Sequence, residues 1–68
     1  MPKTIRELKT MLRKAGCISE PGKGSHTKWK HPLINRKIVL SGKDGADAKR
    51  YQEKEVIQLL KDIKEAQS

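Results

Sequence analysis

Apolar side chains recur at Ile5, Leu8, Leu12 and Ala15, with Met11 flanking them. That three-to-four-residue spacing lines one face of an α-helix. Thr4-Ile5-Arg6-Glu7 reads as a capping box at its start, and Gly16 supplies the stop. Arg6, Lys9 and Arg13 fall on another arc of the same wheel, a basic stripe beside the buried face. Residues 17–20 form a short segment whose only large aliphatic is Ile18, and Pro21-Gly22-Lys23-Gly24 is a turn signal that reverses the chain. Residues 25–31 then alternate, with Ser25, Thr27, Trp29 and His31 to one side and His26, Lys28 and Lys30 to the other. Pro32 ends that strand, and the segment to Arg36 is expected to turn again. Residues 37–41 predict a further strand, with Ile38 and Leu40 on one face and Val39 opposite. After a polar loop from residue 42 to about 50, Val56, Ile57, Leu59, Leu60, Ile63 and Ala66 mark a second amphipathic helix near residues 52–66.

The order is α-β-β-β-α. Two helices with one apolar stripe each must cover one face of a three-stranded antiparallel sheet, which makes an α+β, two-layer fold. Trp29 belongs on the inner face, because one Trp, one Tyr and no Phe leave few aromatics to build a core. Its placement turns His26, Lys28 and Lys30 outward. A chain of 68 residues is expected to be a single domain spanning 1–68. It hides only about 60% of its unfolded surface, so a buried cofactor or a large enclosed site is not expected, and neither is any small-molecule cofactor.

Charge narrows the partners. Sixteen Lys and Arg face eight Asp and Glu, for a net +8. Residues 1–50 carry thirteen of those bases and four of the acids, so the field belongs to the first helix and the strands. Such a surface favours polyanions, nucleic acid or anionic membrane. No apolar run approaches the roughly 18 residues of a membrane span, and no apolar core of a secretory signal follows the N-terminus. The expectation is therefore a cytoplasmic protein with no membrane partner. Cys17 is the only cysteine and cannot form an intrachain disulfide.

The segment from Gly22 to Pro32, GKGSHTKWKHP, concentrates the candidate chemistry. Gly22-Lys23-Gly24 serves either as a hairpin turn needing positive φ or as a phosphate cradle of backbone amides with Lys23 beside it. His26 follows directly, and an imidazole exchanges protons near neutral pH. Lys28 shares its face and could hold a phosphate there. The alternative for His26 is an ordinary surface histidine. His31 stands at an odd spacing from it and so faces the other way unless a bulge intervenes. It is expected to end the strand and bond locally. Two histidines on opposite faces and a distant Cys17 make no metal ligand set, and paired carboxylates are missing from the basic region. Cys17 follows a helix C-terminus, the wrong end for activating a thiol, and reads as a small core residue. Trp29 either stacks a base or is buried. Arg6, Lys9 and Arg13 either track a phosphate backbone or form a solvated helix face.

Gly24-Ser25-His26, preceded by a Gly-Lys turn and followed by a basic strand ending in His31-Pro32, resembles the HicA toxins of bacterial toxin–antitoxin pairs. The resemblance runs end to end, from the helix at 5–16 to the closing amphipathic helix. It implies a double-stranded-RNA-binding-domain-like fold used as a ribosome-independent mRNA interferase, with mRNA as substrate. It also implies silencing by a HicB-type antitoxin that covers the active site. His26 matches the family's catalytic histidine, and Gly24 and Ser25 match its neighbours. Many relatives carry a glycine-rich stretch after the third strand, whereas residues 42–50 here contain aspartates.

The expected mechanism is metal-independent RNA cleavage by attack of a ribose 2′-OH on the adjacent phosphate. His26 acts as general acid or base, and Lys23 and Lys28 stabilise the charged transition state. Lys23, Gly24, Ser25, Lys28, Lys30, Arg6, Lys9 and Arg13 are the candidate RNA-binding residues. The second proton-transfer group is left among His31, a lysine and water. The alternative is a non-catalytic RNA-binding module, which needs the basic residues but not His26. A DNA-binding subunit is disfavoured, since three strands separate the two helices and preclude a helix-turn-helix.

Overall fold

Backbone amides at the start of the first helix need acceptors, and Thr4 and Glu7 supply them as the capping-box pattern predicts. In the computed structural model, which describes residues 2–68, α1 runs Ile5–Lys14. Met1, the first residue of the expected 1–68 domain, lies outside the described residues. The Glu7 amide donates to the Thr4 hydroxyl and the Thr4 amide to the Glu7 carboxylate, each at 3.2 Å. Beyond α1 come β1 (Ile18–Pro21), β2 (Thr27–His31), β3 (Ile34–Leu40) and α2 (Arg50–Gln67). The strands form one antiparallel sheet in the order β1-β2-β3. The architecture is the α-β-β-β-α two-layer arrangement that the periodicity predicts.

Several element ends shift by a residue from expectation, among them β1, which includes Pro21, and three larger differences have a local reason. Ser25 and His26 lie before β2 rather than within it. The Gly22 amide donates to the His26 carbonyl at 2.9 Å and the His26 amide to the Lys23 carbonyl at 3.1 Å. Those turn bonds close the hairpin, so ladder pairing begins at Pro21 and Thr27. The third strand begins at Ile34, not Lys37, because only Pro32 and Leu33 are needed to turn. The residues this leaves over are absorbed by a register shift: Lys30 faces Lys37 while His31 faces Ile34. The second helix starts at Arg50, earlier than residue 52. Gln52, only 2% exposed, accepts from the Lys49 amide at 2.8 Å and donates to the Ser41 carbonyl at 3.0 Å. Its satisfied amide pins the start of α2 to the end of β3.

The core lies between the helices and one sheet face. Ile5, Leu8 and Leu12 of α1 meet Val56, Leu59 and Ile63 of α2 over Trp29, Ile38 and Leu40, with Cys17 and Ala48 at the margins. Burial pushes the Cys17 thiol up, so its thiolate is disfavoured. His31 closes one end. Its ring, 7% exposed, accepts the Leu33 amide at Nδ1 (3.1 Å), which leaves Nε2 as the N–H that donates to the Ala15 carbonyl at 3.1 Å. Gly16 makes room for that contact: its φ is +92°, and a Cβ there would stand 3.3 Å from His31 Nε2.

The other end is closed by the 42–48 loop. The Ile5 amide donates to the Ala46 carbonyl and the Arg6 amide to the Asp44 carbonyl, both at 3.0 Å. The Ala48 amide donates to the Lys3 carbonyl at 2.7 Å. Orphan donors of the first helical turn are thereby satisfied by this loop.

Three carboxylates are held below the usual range by hydrogen-bonded or cationic partners. Thr4 lowers Glu7 through backbone and hydroxyl bonds, Lys30 lowers Glu20, and Lys9 lowers Asp44. A depressed native pKa means that the unfolded chain binds more protons in acid. The associated stability is present above the unfolded carboxylate range and is lost as pH falls through it, from roughly pH 4 downward. All three carboxylates face solvent, where such contacts are screened, so only a modest drop in melting temperature is expected across that window. A melting temperature unchanged between roughly pH 6 and roughly pH 3 would contradict the assignment.

Candidate functional site

The sheet face away from the helices is the open surface of the molecule. Ladder register places Glu20, Lys28 and Val39 in one row across it and Ile18, Lys30 and Lys37 in the next. Side chains alternate across a strand, so Trp29 and Ile38 point into the core and leave these six outward. Lys28, Lys37 and Val39 are exposed. Lys30 and Lys37 are like charges in directly opposed positions, an unfavourable arrangement by itself. Glu20 offsets it: its carboxylate sits 2.6 Å from the Lys30 ammonium and is held low first by Lys30, then by Lys37 and Lys28. Three lysines share one carboxylate, and the face stays cationic.

His26 sits in the β1–β2 turn, one residue before β2 begins. Its backbone is bonded on both sides by the turn described above, while its side chain is exposed. No hydrogen bond to its ring is made among the described residues. Gly22 supports that placement, since a Cβ there would meet the His26 carbonyl oxygen at 3.1 Å and the His26 Cβ at 3.3 Å. Gly24 has open space around it but a φ of +59°, which the turn requires. The Gly22 and His26 amides are both engaged in closing the turn. A phosphate cradle in this loop would have to use the amides between them. Lys23 is exposed beside it. The Ser25 hydroxyl accepts the Gly42 amide at 3.3 Å, so this turn abuts the 42–48 loop.

His31 is buried where His26 is exposed. The register shift at Lys30 and His31 does not bring the imidazole outward, and both ring nitrogens are engaged in the core. His31 is thus removed from any acid/base pair with His26. Trp29 is likewise 1% exposed, its indole N–H donating to the Thr27 hydroxyl at 3.0 Å, so it offers no face to a base.

The α1 stripe is more engaged than a helical wheel implies. Arg6 is exposed, but the Arg13 guanidinium lies 5.7 Å from the Trp29 ring centroid and the Lys9 ammonium pairs with the Asp44 carboxylate at 2.6 Å. Glu20, Lys37 and Asp44 are the site residues that sequence reasoning did not single out. Lys37 was reachable from its outward parity next to Ile38. The other two needed the register or the loop closure. No pocket opens among the described residues, and no group of three or more His, Cys, Asp or Glu gathers there to hold an ion.

Fold and surface together give a small, strongly basic α-β-β-β-α chain, with an exposed histidine at a glycine turn and a lysine-bearing outer sheet face. Comparison with known families matches residues 5–66, nearly the whole chain, to the family described as the HicA toxin of bacterial toxin–antitoxin. The chain belongs to that family, in the toxin role, and membership implies an antitoxin partner. Neither the comparison with curated proteins nor that with solved structures returned a match. No helix among the described residues is long and apolar enough to cross a membrane.

Proposed function

We propose that this toxin is an RNA endonuclease, an mRNA interferase acting in the cytoplasm, that cleaves without a metal ion and is neutralised by a HicB-type antitoxin. The observation that carries the reading is His26: a backbone clamped by its turn, with an exposed side chain directly before a lysine-bearing strand. That combination fixes where the ring is anchored without occupying its nitrogens.

His26 as general base takes the proton of a ribose 2′-OH. The 2′-oxygen then forms a bond to the adjacent phosphorus as the bond to the 5′-oxygen breaks. The leaving 5′-oxygen receives a proton from a lysine or water, since His31 is occupied in the core. Lys28 and Lys23 offset the charge that builds on the non-bridging oxygens. The products are a 2′,3′-cyclic phosphate and a 5′-hydroxyl. With the toxin purified and EDTA present, cleavage is expected to proceed and leave those ends. A single 2′-deoxy substitution at the cut site is expected to stop it. Loss of activity in EDTA, or equal cutting of the deoxy substrate, would refute the mechanism.

A further inference from the structure

The cations of α1 already hold an anion, and it belongs to the protein. The Asp44 carboxylate sits 2.6 Å from the Lys9 ammonium, in a loop whose backbone is fixed by the Arg6 amide donating to the Asp44 carbonyl. Three cations act on it: Lys9 directly, then Arg6 and Arg13 through space. Those are the three residues of the basic stripe. The Lys9 side chain is only 14% exposed, while that of Asp44 is 51% exposed. The cation is thus the recessed partner, and the carboxylate covers it from the solvent side. Arg13 is steadied by the Trp29 ring.

A carboxylate and a phosphate diester both present oxygen acceptors and a single negative charge, so the same cations suit both. We propose that Asp44 is an internal stand-in for an RNA phosphate at the Arg6–Lys9–Arg13 stripe, and that RNA binds there by displacing it. The inference rests on the RNA-cleaving reading above and adds a regulatory element to it. Asp44 holds down affinity for RNA and makes binding depend on exchange of one anion for another. The Asp44 main-chain contact to Arg6 does not involve the carboxylate, so the loop keeps its anchor when the side chain swings away.

The proposal separates from a plain charge effect by coupling. If Asp44 only adds negative charge near the RNA, Asp44→Asn should gain as much in a Lys9→Ala background as in wild type. A stand-in requires that gain to vanish there. The measurement is fluorescence anisotropy of a labelled single-stranded 2′-O-methyl RNA, in EDTA, across a salt series, with the 68-residue chain. Asp44→Asn is expected to raise affinity by roughly threefold to fivefold. It should also steepen the logarithmic salt dependence by about 0.7, as one more cation becomes free to meet a phosphate. Lys9→Ala is expected to lower affinity and flatten that slope. The double variant should lose the gain, because Lys9 is the cation that Asp44 covers.

Unchanged or weakened binding by Asp44→Asn, or a shift in the same direction for both single variants, would overturn the inference. If wild type cleaves RNA but Asp44→Asn binds no better, the stand-in fails and the nuclease reading survives. If wild type neither binds nor cleaves RNA, both fall. Thermal melting of each variant checks the fold, and an exposed pair of this kind should move it little.

Discussion

Replacing His26 by alanine is expected to reduce RNA cleavage by about 10²–10⁴-fold, the usual contribution of a positioned acid/base group. Fold and RNA affinity should be little changed. The side chain is exposed and its ring has no hydrogen-bond partner among the described residues, so truncation leaves no buried group unsatisfied. Both bonds that fix the residue are made by its main chain and survive the substitution. Lys28, Lys30 and Lys37 retain their positions on β2 and β3, and with them most of the attraction for phosphate. The test is cleavage by wild type and variant on one RNA, with binding measured alongside. Equal cleavage by both proteins would remove His26 from the mechanism. Equal binding with no cleavage by either would favour a non-catalytic RNA-binding module.

Local signals carried much of the fold. The capping box and the spacing of Ile5, Leu8 and Leu12 mark α1 because helix initiation is decided within four residues. Trp29, Ile38 and Leu40 fall inward as alternation predicts, since strand parity is a property of the chain itself. The start of β3 was hidden for a physical reason. Asn35, Arg36 and Lys37 are consecutive polar residues, all exposed, beside the register shift between Lys30 and His31. Alternation vanishes where the ladder slips, and only pairing with β2 reveals the strand. Gln52 gave no sign of burial, because what makes it acceptable inside is the Ser41 carbonyl, eleven residues away.

The candidate site divides along the same line. The glycine turn is a short-range feature and was legible, as was the exposure of His26, though the residue lies in the turn and not in the strand where parity placed it. The ion pairs were not. Glu20 reaches Lys30 only through the β1–β2 register, and Lys9 reaches Asp44 across thirty-five positions of sequence. Helical-wheel reasoning shows Arg6, Lys9 and Arg13 on one arc but cannot show which of them the rest of the chain has already neutralised. Asp44, polar and unremarkable in the sequence, becomes visible as a partner of the stripe only through that contact.

Trp29→Ala is expected to cost about 3–5 kcal/mol, the range for truncating a buried aromatic. A domain of this length has a total stability of roughly 3–10 kcal/mol, so the variant should be largely or wholly unfolded near 37 °C. The size of the effect follows from the composition: the chain has one Trp and no Phe, and no other large aromatic is buried to fill the gap. Trp29 also lies on the central strand, with Ser19 paired on one side and Ile38 on the other, so a cavity there opens under both helices. Trp29→Phe separates the contributions. It keeps most of the buried area but removes the N–H that donates to Thr27, and about 1–2 kcal/mol of loss is expected. It also weakens the ring that steadies Arg13, so a small fall in RNA affinity should accompany it. Urea denaturation of the three proteins reads the stabilities directly. A Trp29→Ala variant that unfolds at the wild-type midpoint would mean that the ring is not a core residue. It would return the indole to the alternative role, stacking an RNA base on the surface.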